Sequence, residues 1–148
     1  MEAKHRHEFK RLIKTQAAYH LFAYVTLMTL LALGHFEVRR DFADWQSAYI
    51  VASSVRCLLV LQVFHLVLLL SFLCSKVNFS AVTRCQFGHS QVASVPVLVI
   101  GVLLTVYGTK LPKVPMVLAL CTAANCLVYI GFQVAYCLFY TRMTRETT

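Results

Sequence analysis

The stretch SSVRCLLVLQVFHLVLLLSFLC, Ser53 to Cys74, sets Arg56, Gln62 and His65 inside an otherwise apolar run. An imidazole within an apolar segment can carry a proton between partners or make a buried hydrogen bond, and a guanidinium can anchor to phosphate headgroups. Helix geometry separates these roles. Arg56 and His65 are nine positions apart, about 900° of rotation, which puts them on opposite faces, whereas Gln62 and His65 share a face within about 60°. Arg56 therefore reads as a side chain whose long stem carries its charge to the membrane surface. Gln62 and His65 read as groups facing other helices, with proton handling by His65 as the competing role. His20 reads as an interfacial residue in a different layer from His65.

A second constellation lies near the carboxyl terminus. At about 100° per residue, Thr122, Asn125, Tyr129, Gln133, Tyr136 and Tyr140 fall within a sector of roughly 80°. A polar amide in hydrocarbon costs free energy unless it is hydrogen-bonded, so this stripe is expected to point into a bundle. It is either packing glue or a groove for a ligand, lipid or partner. Upstream, Ser94, Gly101, Thr105 and Gly108 cluster within roughly 60° and offer a small-residue face for close approach of the helix that carries the stripe.

Catalytic and metal-binding patterns are sparse. No acidic residue lies inside an apolar segment, and there is no H-E-x-x-H, no carboxylate pair and no glycine-rich phosphate loop. Cys85-x3-His89, with Cys74 upstream, is one short of the four ligands a tetrahedral zinc site takes. The reading is of a protein that is not an enzyme, with no catalytic residue, no cofactor, no metal and no small-molecule substrate. No segment carries the regular hydrophilic face with a charged ring that a conducting pore requires. Of six cysteines only Cys85 stands in a polar stretch, which argues against a disulfide framework.

The elements that must position these residues follow from composition. The chain has 148 residues, 59% apolar and 14% charged, with mean hydropathy +0.67, the composition of a membrane protein. The expected fold is all-α: a polytopic four-transmembrane-helix bundle with short loops, forming one domain over 1–148. The spans are expected at approximately 17–34, 50–74, 92–108 and 115–140. The polar run SKVNFSAVTRCQFGHSQ reads as the connection between spans two and three. Pro112 and Pro115 bar a continuous helix through TKLPKV, so spans three and four form a hairpin. Pro96 marks either a kink or the first turn of span three. The aromatic and charged mixture around Phe36, Phe42, Trp45 and Tyr49 suits a membrane surface.

Charge sets the orientation. With the amino terminus cytosolic, that side holds nine basic residues, among them Lys10, Arg11, Lys14, Lys76 and Arg84, against Arg39, Arg40, Lys110 and Lys113 on the other, with Arg56 uncounted. Both termini are therefore expected in the cytosol, and the sequon Asn78-Phe79-Ser80 should carry no glycan. The first apolar segment reads as a retained span rather than a cleaved signal. The net charge of +8, confined to segment ends, points to anionic lipid headgroups and away from nucleic acid. Lys10, Arg11, Lys14 and Arg56 are the expected surface anchors.

FKRLIKTQAAYHLFAYVTLMTLLALGH, the LLSF that closes span two followed by NFS, the VYG that closes span three, and FQVAYCLFYTRM at the end of span four resemble the Jagunal family over Glu8 to Met143. The resemblance implies a non-enzymatic four-span protein of the endoplasmic reticulum membrane with cytosolic termini. It also implies a role in reticulum organisation and vesicle-mediated transport in the secretory pathway. The connection between spans two and three is longer here, that between three and four shorter, and the tail TRMTRETT lacks the Lys-rich terminus associated with coat-protein retrieval. The alternative is an accessory subunit of a larger membrane complex, meeting a protein partner through the stripe of span four.

Overall fold

The computed structural model describes residues 2–41, 43–74, 76 and 78–148. Phe42, expected at the membrane surface, lies outside them. The chain forms four helices in order: α1 (Glu2–Ala32), α2 (Trp45–Cys74), α3 (Phe79–Gly108) and α4 (Lys113–Thr147). Among the described residues three helices, α2, α3 and α4, are long and apolar enough to cross a membrane.

Each helix has a local reason to begin or end. In α1 the basic head is not a separate tail but the first turns of the helix. Arg6 reaches Glu2 one turn back at 2.7 Å, and no glycine or proline intervenes before Gly34. His5, Phe9, Ile13, Ala17, His20, Ala23 and Leu27 then form a buried stripe at helical spacing. Gly34 adopts φ +73°, its N–H bonds to Leu31 O at 3.0 Å and the His35 N–H bonds to Leu30 O at 3.1 Å. This left-handed closure stops α1. Asp44 caps α2, accepting from the Ser47 N–H at 3.0 Å and the Ser47 hydroxyl at 2.7 Å. Both bonds, hydroxyl first, hold the Asp44 carboxyl below the usual aspartate range.

Residues 79–91, read from sequence as part of a polar connection, are helix. α3 starts at Phe79, where the Asn78 side chain accepts from the Ser80 N–H. Its polarity is explained by where its residues face: Thr83, Gln86 and Ser90 are fully buried, so they line an interior that is itself polar. Pro96 lies inside α3, where the missing N–H leaves the Val92 carbonyl without its helical donor.

Helices of 30 residues are about 45 Å long, against a hydrocarbon thickness of about 30 Å. Consecutive helices pack side by side in an up-down bundle, with a looser seam where α1 meets α4. Gly108 faces Ala119 and Gly101 faces Cys126, so the small-residue face of α3 is where α4 approaches.

Two apolar clusters fill the interior. One, around Leu27, Val55, Leu58, Val97, Leu104 and Ala119, occupies the half toward the 33–44 loop. The other, around Phe9, Ile13, Ala17, Leu69, Val82 and Phe139, occupies the half toward the chain termini. On the outside, Phe22, Val60, Val92, Leu127 and Leu138 are exposed. Apolar side chains outward and a polar layer inward is the arrangement expected when the solvent is hydrocarbon.

Candidate functional site

Between the two apolar clusters every helix contributes an amide together with an imidazole or phenol. α1 supplies Gln16 and His20, α2 Gln62 and His65, α3 Gln86 and His89, and α4 Tyr129 and Gln133. All are fully or almost fully buried except His89, which is partly exposed. The pairs recur at three or four residues because that spacing stacks two side chains on one face of a helix.

His65 is the hub. Its Nδ1 lies 2.7 Å from the Tyr129 hydroxyl and 3.3 Å from Gln133 Nε2. Its Nε2 lies 3.4 Å from Gln16 Nε2 and 3.4 Å from Gln86 Nε2. Two amide nitrogens thus meet Nε2, while a phenol and a third amide meet Nδ1, and the ring tautomer sets which nitrogen donates. Gln16, Gln86 and Gln133 each keep an unpaired Oε1, which half a turn of the amide presents to His65 in place of the nitrogen. His20 Nδ1 bonds to Gln62 Oε1. The rings of His20 and His65 are 4.6 Å apart, and His65 and His89 are likewise 4.6 Å apart.

The placement of His20 and His65 in separate layers is therefore corrected. Depth judged from the last charge of the head puts His20 near a surface. Because α1 begins at Glu2, His20 instead lies well inside the helix and meets His65 from antiparallel α2.

Tyr19 extends the network to the α1–α4 seam, its hydroxyl donating to Asn125 O at 2.8 Å and meeting the Asn125 side chain. Tyr136 donates to Thr83 O at 2.8 Å. Thus Gln62, His65, Tyr129 and Gln133 are brought together, Asn125 joins at the edge, and Tyr136 ties α4 to α3 one layer nearer the termini. Gly101 and Gly108 lie on the α3–α4 contact, while Thr105 is exposed and bonds back to Gly101 O at 2.9 Å. Lys10, Arg11, Lys14 and Arg56 are exposed. Arg56 points outward from α2 eleven residues after Trp45, on the face away from the histidines.

Gln16 and Gln86 were missed from sequence, and His89 was weighed there only in a metal-ligand spacing with Cys85. The signal is the repeat itself: Gln-x3-His, Gln-x2-His, Gln-x2-His and Tyr-x3-Gln, once per helix. Gln16 Oε1, Gln62 Nε2, Gln86 Oε1, His89 Nε2 and Gln133 Oε1 have no hydrogen-bond partner among the described residues. Several of the bonds that are made exceed the 2.7–3.2 Å of strong ones.

The layer holds donors and acceptors but no carboxylate. Among the described residues no three His, Cys, Asp or Glu side chains are arranged to hold a metal ion. All six cysteines are free thiols. Chemically, the site can donate and accept hydrogen bonds, and it ties the helices to one another through His65. Comparison with family models, with curated proteins and with solved structures gives no match.

Proposed function

We propose that the chain is a non-enzymatic, multi-pass protein of the endoplasmic reticulum membrane that acts in reticulum organisation and vesicle-mediated transport in the early secretory pathway. The observation that supports the structural part of this reading is the convergence of polar groups from all four helices on one buried layer. His65 is met by Gln16 from α1, Gln86 from α3 and Tyr129 and Gln133 from α4. Interhelical hydrogen bonds of this kind contribute about 0.6 kcal/mol each and fix helix rotation and register. The cellular part rests on the Jagunal resemblance of the four segments quoted above.

In this reading α1 is the fourth crossing. Ala17 to Gly34 carries no full charge, and Leu21, Phe22, Val25 and Met28 are exposed where lipid would lie. Thr26 and Thr29 satisfy their hydroxyls on the carbonyls one turn back, at 2.9 and 2.8 Å. Both termini are cytosolic, on the side with nine basic residues.

The accessory-subunit alternative requires the α4 stripe to face outward. Thr122, Tyr129, Gln133 and Tyr136 are at most 4% exposed, which favours the internal role. A partner would meet the apolar outer face of α4 instead.

A tagged copy expressed at native level tests the cellular reading. It is expected in the reticulum, and its loss is expected to slow export of secretory cargo. Residence in mitochondria, or unchanged cargo export, would sink the proposal.

A further inference from the structure

The end of the bundle that carries both termini gathers nine basic side chains against three acidic ones, Glu2, Glu8 and Glu146. A cleft of about 490 Å³ opens there between the head of α1, the first turns of α3 and the last turns of α4. Phe79, Tyr140 and Met143 give it an apolar wall. Phe79 and exposed Ser80 belong to the amino-terminal turn of a 30-residue helix, whose aligned peptide dipoles favour an anion, and exposed Arg84 lies about one turn further on. Glu2 also lines the cleft, but its carboxylate is held by Arg6 at 2.7 Å.

His5 is the second, independent sign. It lines the same cleft at 2% exposure, and its Nδ1 has no hydrogen-bond partner among the described residues. Its Nε2 lies 3.1 Å from Glu146 Oε2 but without hydrogen-bond geometry. A buried ring nitrogen with no partner is costly, and a headgroup that carries both phosphate oxygens and hydroxyls supplies one for either tautomer.

We infer that this cleft binds the phosphate of an anionic membrane-lipid headgroup, held by the α3 amino terminus, Arg84 and His5, with the glycerol end against Phe79 and Tyr140. The aromatic wall and the position at the end of an apolar bundle select a lipid over a free phosphate. The proposal concerns the terminal end of the bundle in whichever membrane the chain resides, so its failure is separate from failure of the trafficking reading.

The test uses the full chain in detergent micelles, titrated with short-chain phosphatidylinositol phosphate, short-chain phosphatidylcholine and free inositol phosphate, and read by native mass spectrometry. The phosphoinositide is expected to bind at least about tenfold more tightly than phosphatidylcholine, and Arg84→Glu to weaken it by about tenfold or more. Ser80→Glu, a substitution that suits the first turn of a helix, is expected to weaken it likewise without loss of helicity. Lys110→Glu at the opposite end should leave it unchanged. Equal binding of phosphatidylcholine, or undiminished binding by folded Arg84→Glu and Ser80→Glu, overturns the proposal. Free inositol phosphate binding as tightly as the lipid overturns the lipid as its source.

Discussion

Gly108→Ala tests the closest approach in the bundle. A Cβ built on Gly108 would lie 2.8 Å from Ala119 Cβ, a separation that two helices can relieve only by moving apart. Overpacking of this kind costs about 1–3 kcal/mol. The usual gain of about 1 kcal/mol for replacing glycine in a helix interior is small here, because Gly108 is the last residue of α3. Gly101→Ala places its Cβ 3.3 Å from Cys126 Cβ, which a shift of a few tenths of an ångström relieves, so it should be nearly neutral. Gly131→Ala meets nothing within 4 Å and should stabilise by about 0.5–1 kcal/mol. The assay is reversible unfolding in mixed micelles followed by far-ultraviolet circular dichroism. Adding Ala119→Gly removes the colliding methyl and should recover most of the Gly108→Ala loss. Gly108→Ala as stable as Gly131→Ala, or no recovery in the double variant, would refute the packing argument.

The other expectations are narrower. Glycan acceptance should be absent at Asn78-Phe79-Ser80 and present at a sequon engineered between Arg39 and Asp44. The reverse pattern in microsomes contradicts cytosolic termini. The Asp44 carboxyl, depressed by its two bonds from Ser47, contributes stability that is present above the unfolded aspartate range and lost as pH falls through the lower folded value. Ser47→Ala should move its midpoint upward in a carbon-13 titration, and an unchanged midpoint denies the cap. Glu8→Gln removes the exposed pair with Arg142 at 2.6 Å and should cost less than about 1 kcal/mol in the same micelle unfolding assay. A loss well above that would mean the pair is a principal tie between α1 and α4.

The stripe on α4 was legible because its polar residues interrupt an apolar run at helical spacing, so contrast marks the face. The first half of α3 was not. Gln86 and Ser90 face a polar interior while Arg84 and Cys85 are exposed, so both faces of SKVNFSAVTRCQFGHSQ look hydrophilic and the period vanishes. Angles on a single helix correctly separated Arg56 from Gln62 and His65. They could not say that His20 on α1 and His89 on α3 stack against His65, because depth depends on where each helix begins and on its antiparallel partner. The membrane character followed from composition: among the described residues α2, α3 and α4 are long and apolar enough to cross, while the span expected at 17–34 falls almost wholly within α1, whose charged head and apolar half are one helix.

The central claim is that the polar groups of four helices form one internal layer around His65. A double-mutant cycle of His65→Leu and Tyr129→Phe in micelles measures it directly, because the bond between them is 2.7 Å long. The account predicts that each single change destabilises the isolated chain and that the pair couples by about 0.6 kcal/mol and up to about 1.7. Strictly additive effects, or full stability of the isolated chain after both changes, would contradict it.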